Sequence, residues 1–116
     1  MTRDLMSMAL KRATGTSDAD TAQTVSTPTA GRKRILWVTV AYSAAPTQTG
    51  VQIVLNSAEG AAFDTTLIDG TADVQDTYWE PKDEMIIHDG DAIDVTAPAA
   101  GGVVTSSIVI QYELAN

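Results

Sequence analysis

The chain has 116 residues, no cysteine, a formal net charge of −8 and only six aromatic residues. That length fits one domain, and the missing thiols exclude disulfides, thiolate nucleophiles and Cys-ligated metals. No run approaches the ~20 apolar residues of a membrane helix, and the acidity of most of the chain argues against a general nucleic-acid binder.

The charges are unevenly placed. The first 34 residues hold Arg3, Lys11, Arg12, Arg32, Lys33 and Arg34 against Asp4, Asp18 and Asp20, a net +3. The remainder holds Lys82 against twelve carboxylates, a net −11. Opposite fields steer toward different surfaces, which suggests an arm and a body with different partners. Leu5, Met6, Met8, Ala9 and Leu10 are interrupted by Ser7 and followed by Lys11 and Arg12, so no secretory leader is expected.

Residues 2 to 13 carry Leu5, Met8 and Ala9 at helical spacing, with Asp4 toward the start and Lys11 and Arg12 toward the end. This order suits the helix dipole and predicts a short helix. From Thr14 to Ala30 the chain is mainly Thr, Ser, Ala, Asp and Gln, which reads as an extended linker. The expected division is therefore an N-terminal arm and linker over 1–30 and a β-sandwich over 31–116. Held on a polar spacer, Leu5, Met8, Lys11 and Arg12 are the partner-binding residues expected of the arm; a frayed terminus is the plainer alternative.

From Arg34 the pattern has period two. Ile35 to Tyr42 is apolar on both faces, as in a central strand, and Val51, Ile53 and Leu55 mark a half-buried second strand. Asn56 to Gly60 turns the chain into a third strand over Ala61 to Ile68, giving a hairpin. Asp69-Gly70 turns it again before Val74 to Trp79, which Glu80-Pro81 closes. Glu84 to His88 and Ala92 to Thr96 flank Asp89-Gly90-Asp91, which predicts a tight hairpin. After Pro98 to Gly102, the strand Val103 to Leu114 places Val104, Ile108, Ile110, Tyr112 and Leu114 inward and Thr105, Ser107 and Gln111 outward. Seven such strands predict an all-β fold, a two-sheet antiparallel sandwich of jelly-roll-like type with the N-terminal arm attached; an immunoglobulin-like topology is the rival.

No catalytic set accompanies this pattern. His88 is the sole histidine, short of the two or three in metal-binding cupins, and no nucleophile motif accompanies it. Asp89, Asp91 and Asp94 could offer oxygens to Ca²⁺, but turn conformation and strand alternation explain all three, so neither metal nor cofactor is expected. Asp69, Asp73 and Asp76 are looser and read as a solvated loop and strand face. Trp37, Tyr42, Phe63, Tyr78, Trp79 and Tyr112 read mostly as core, with a sugar-binding platform as the alternative if several prove exposed together. Arg32-Lys33-Arg34 reads as a solvated entry to a strand or a partner for the body's carboxylates.

Ile35-Leu36-Trp37-Val38-Thr39-Val40, Ser43-Ala44-Ala45-Pro46-Thr47, Gly60-Ala61-Ala62-Phe63-Asp64 and Gly90-Asp91-Ala92-Ile93-Asp94-Val95 together resemble the small β-sandwich virion proteins of tailed bacteriophages, over roughly residues 34 to 114. The resemblance lies in strands and turns and carries over no functional residue. It implies a non-enzymatic structural component made in the host cytoplasm and carried in the virion, foremost a capsid decoration or cement protein. Other virion proteins would be its partners, a homo-oligomer is expected, and neither nucleic acid nor membrane is. A tail, head-tail adaptor or fibre component is the rival within that class, and a carbohydrate- or ligand-binding sandwich module the rival outside it.

Overall fold

The computed structural model describes residues 10–17, 22–44, 50–69, 76–99 and 104–115. Alternating side chains cannot bury an apolar face within a single strand, so the described segments assemble as nine strands in two sheets. They are β1 (Leu10–Ser17), β2 (Gln23–Ser26), β3 (Arg32–Tyr42), β4 (Gln52–Asn56), β5 (Thr65–Asp69), β6 (Asp76–Trp79), β7 (Met85–Ile87), β8 (Ala92–Ala97) and β9 (Ser106–Ala115). One sheet runs β1-β9-β3-β6, with β7 on the same side of β3 as a second, shorter partner; the other runs β2-β8-β4-β5.

Every pairing among the described strands is antiparallel, and five of them are nested. β4 pairs with β5, β3 with β6 and β7, β2 with β8, and β1 with β9, as if one long hairpin had been rolled up with its strands alternating between layers. The β3–β9 and β4–β8 pairings close the roll. This is the jelly-roll wrap. Between the sheets lie Ile35, Val38, Val40, Ile53, Ile87, Ile93, Val95, Ile108 and Ile110, all at most 3% exposed. Each large apolar side chain so enclosed stabilises the fold by about 1.5–3 kcal/mol.

The central strand contains an irregularity with consequences for the surface. Ile35 faces Tyr112 and Trp37 faces Gln111, so Leu36 is an extra residue on β3. Period-two alternation alone would put Trp37 on the inner face with Ile35. The bulge shifts the register by one and turns Trp37 outward, while Val38 and Val40 continue the core.

Several expectations are corrected. The described part of 14–30 is not a linker: β1 forms eight register pairs with β9, and β2 pairs with β8 from Gln23 to Ser26. Thr27 prolongs that ladder, its N–H donating to Ile93 O (3.1 Å) and its Oγ1 accepting from Ile93 N (3.0 Å). β1 and β2 also meet across the layers, where a Cβ on Gly15 would stand 2.6 Å from Val25 Cγ2. Residues 10–13 are strand rather than helix, and the rest of the expected helix lies outside the described residues. Asp89-Gly90 does turn the chain, with Gly90 at φ 97°, but its flanks do not form a hairpin: β7 joins β3, whereas β8 joins β2 and β4 in the other sheet. Residues 61–63 form a 3-10 turn, so the third expected strand begins at Thr65. Leu114 is 46% exposed at a strand end and Phe63 61% exposed, so neither is core.

Candidate interaction surface

The two outer faces of the sandwich differ chemically. On the β2-β8-β4-β5 sheet, outward side chains bond to one another: Thr24 Oγ1 to Thr96 Oγ1 (3.0 Å), Ser26 Oγ to Asp94 Oδ1 (2.6 Å), Asn56 Nδ2 to Asp94 Oδ2 (3.0 Å) and Gln52 Nε2 to Asp69 Oδ1 (3.1 Å). Such a self-paired polar lattice suits contact with water.

On the other sheet the registers set out successive rows. Leu10, Glu113, Arg34 and Ile86 form one; Arg12, Gln111 and Trp37 the next; Thr14, Val109, Thr39 and Tyr78 the third. Tyr78 is 59% exposed and Leu10 49%. The rings of Trp37 and Tyr78 stack with centroids 6.4 Å apart and planes 29° from parallel. Arg12 lays its guanidinium 5.8 Å from the Trp37 ring centroid while its Nε donates to Gln111 Oε1 (2.7 Å). The Gln111 residue is only 4% exposed although it points outward. A cation over an indole contributes about 0.5–1 kcal/mol at such a site, and the bond to Gln111 fixes its position.

Beside this cluster β3 changes partners, from β6 at Val38 to β7 at Ile35. The connecting loop through Pro81 leaves a depression of about 320 Å³ lined by Arg34, Leu36, Pro81 and Glu84 among others. Arg34 bridges Glu113 and, at 2.8 Å, Glu84, which occupies its charge internally; its Nε is buried with no hydrogen-bond partner among the described residues.

The acidic residues near the Asp-Gly turn have structural work. Asp91 accepts from Ala58 N (2.8 Å) and His88 N (3.1 Å), and Asp89 from Gly31 N (2.6 Å). Lys33, fully buried, donates to the carbonyls of Thr29, Ala30 and Gly31 (3.4, 3.2 and 2.6 Å). Burial lowers the Lys33 pKa, with Asp89 and Asp91 opposing; the Asp91 carboxyl is held below its ordinary value chiefly by the Ala58 N–H. Asp94 belongs to the polar lattice instead. Among the described residues no group of three His, Cys, Asp or Glu is disposed to hold a metal ion, and no helix is long and apolar enough to cross a membrane.

Of the residues expected to bind a partner, Lys11 and Arg12 lie in β1, and Arg12 is within the aromatic cluster; Leu5 and Met8 lie outside the described residues. Trp79 packs against the core, Tyr42 and Tyr112 are buried, and Phe63 is exposed. Arg32, Lys33 and Arg34 have separate fates: an exposed strand start, a buried cap and a surface ion pair. Gln111 was expected merely to point outward, and its place beneath Arg12 has no sequence signal. No protein-family model matches the chain, and no curated protein matches it either.

Proposed function

We propose that the chain is a non-enzymatic structural component of a tailed-phage particle, a capsid decoration or cement protein that docks through its sandwich. The observation that carries this reading is the contrast between the outer faces, one a self-paired polar lattice and the other a prearranged Arg12-Trp37-Tyr78 cluster. Trp, Tyr and Arg supply much of the binding energy at protein interfaces, and side chains already held by stacking lose less freedom on docking. The resemblance of the strand-and-turn pattern to small virion sandwiches supplies the setting. A tail, adaptor or fibre position would use the same face.

The test is quantitative mass spectrometry of particles banded by density from lysed producer cells. The chain should band with the particles at a fixed copy number relative to the shell subunit, and Tyr78→Ala should lower that number. Recovery only in the soluble fraction would refute the particle role. Exposure of Tyr78 beside Trp37 favours the carbohydrate-binding alternative; tryptophan fluorescence titrations against polysaccharides would reveal it as a saturable change lost in Trp37→Ala.

A further inference from the structure

We infer that the outer face of the β1-β9-β3-β6/β7 sheet is an isologous interface with a second copy of this chain, related by a two-fold axis lying in the face and close to the strand direction. It takes up the same face as the particle reading, under which the chain enters the particle as this dimer and Tyr78→Ala lowers the copy number by loosening it; absence from particles would leave the dimer itself standing. Such an axis exchanges the two edges of the sheet, bringing β1 over the partner copy's β6–β7 side and β9 over its β3, while keeping each row opposite itself.

The chemistry of the rows matches that operation. On its outward side the β1 edge is basic through Arg12, Lys11 lying opposite Tyr112 on the other side of the sheet, whereas the β6–β7 edge carries Asp76, Glu80 and Asp83 against Lys82, with Glu84 held by Arg34. Exchange of edges places each basic rim over an acidic one, twice per dimer. In the first row it sets exposed Leu10 against Ile86, with the internally paired Arg34 and Glu113 between them; in the second, Arg12 against the 81–84 connector and Trp37 against Gln111; in the third, Tyr78 against Thr14. An axis across the strands would instead oppose like edges, basic to basic and acidic to acidic. Charge thus selects one two-fold arrangement over the other.

The dimensions are adequate. Four strands about 4.8 Å apart and about eight residues long, at about 3.3 Å per residue, give a flat footprint on the order of 500 Å². Side-chain relief and the connector increase this toward the about 800 Å² per partner of a stable interface. Two −8 chains repel at long range, so the rim pairs and the aromatic centre must outweigh that repulsion, and the polar lattice of the other sheet stays free.

The chain contains no cysteine, which allows a crosslinking test of both partner and axis. In the full-length protein, Leu10→Cys together with Ile86→Cys should yield a covalent dimer with a thiol-reactive crosslinker of about 10 Å span, because each new thiol lies over the other type on the partner copy and packed sheets stand about 10 Å apart, too far for a direct disulfide. Leu10→Cys alone should stay uncrosslinked, since the two β1 strands lie on opposite edges. Sedimentation equilibrium should find the unmodified chain dimeric. Arg12→Glu and Asp83→Arg should each weaken the dimer by at least about tenfold, and their combination should restore it to within about threefold. Circular dichroism checks that each variant is folded. A monomer at all concentrations, linkage by Leu10→Cys alone to the same extent, or reversals that do not compensate would overturn the inference and leave the face to a different partner.

Discussion

Asp91 illustrates how a residue suited to ligand chemistry can be used up by folding. Its carboxylate ties the 57–60 turn to the 88–91 turn through two backbone N–H groups, and Lys33 and Asp89 secure the neighbouring 29–31 bend. Three loops at one end of the sandwich are thereby joined. Because the folded pKa of Asp91 lies below its ordinary 3.8, this stabilisation is present above that value and is lost as pH falls through the lower folded value. Asp91→Asn should cost about 1–3 kcal/mol near neutrality. Urea unfolding from pH 7 to about pH 3 should show the gap between the parent and Asp91→Asn narrowing in acid; a gap independent of pH would exclude the carboxylate as its source. The Asp-Gly pair announced the turn at Gly90, but one of the two backbone partners of Asp91 comes from 33 positions away at Ala58, beyond any local pattern.

At the scale of elements, β1 and β2 lie in the stretch whose composition looked least foldable. Ser, Thr, Gly and Gln are unremarkable in an edge strand, where one side of the ladder is open and few side chains need be buried. Val25 and Ala13 are the partly buried apolar contributions of these strands to the core, too few to give a period. The long strands were legible because Ile35 to Tyr42 is apolar on both faces, as a central strand is, and Ile108 to Tyr112 places Ile108, Ile110 and Tyr112 on one face. The outward turn of Trp37 was not, because nothing in Ile35-Leu36-Trp37 marks Leu36 as a bulge. Deleting residues 1–30 should therefore remove an edge from each sheet and the bond from Gln23 Nε2 to Ser106 Oγ (2.8 Å). The loss should be several kcal/mol, a large share of the ~5–15 kcal/mol typical of a domain. Far-ultraviolet circular dichroism and urea midpoints compare the two chains, and an unchanged midpoint would show that β1 and β2 contribute nothing to stability.

For the whole molecule, the nested pairing dictates the order in which strands can form. β4 and β5 are neighbours in sequence, with Leu55 opposite Thr65, whereas β1 and β9 bring Leu10 to Glu113. Closing the outer pair first would require the entropy of nearly the whole chain, while closing the inner hairpin leaves each later pair a shorter effective loop. The roll should thus nucleate at β4–β5, with β8 and β3 docking next, and close with β1, as a slow folder on a time scale of about milliseconds to seconds. Ile53→Val, in the core of β4, should cost about 0.5–1.5 kcal/mol and act mainly by slowing refolding. Val25→Ala, in β2 against the core, should act mainly by speeding unfolding. Stopped-flow measurements across a range of urea concentrations separate the two effects. If Val25→Ala slowed refolding and Ile53→Val left it unchanged, folding would start from the N-terminal edge, and the strands that composition disguised would be the ones that organise the roll.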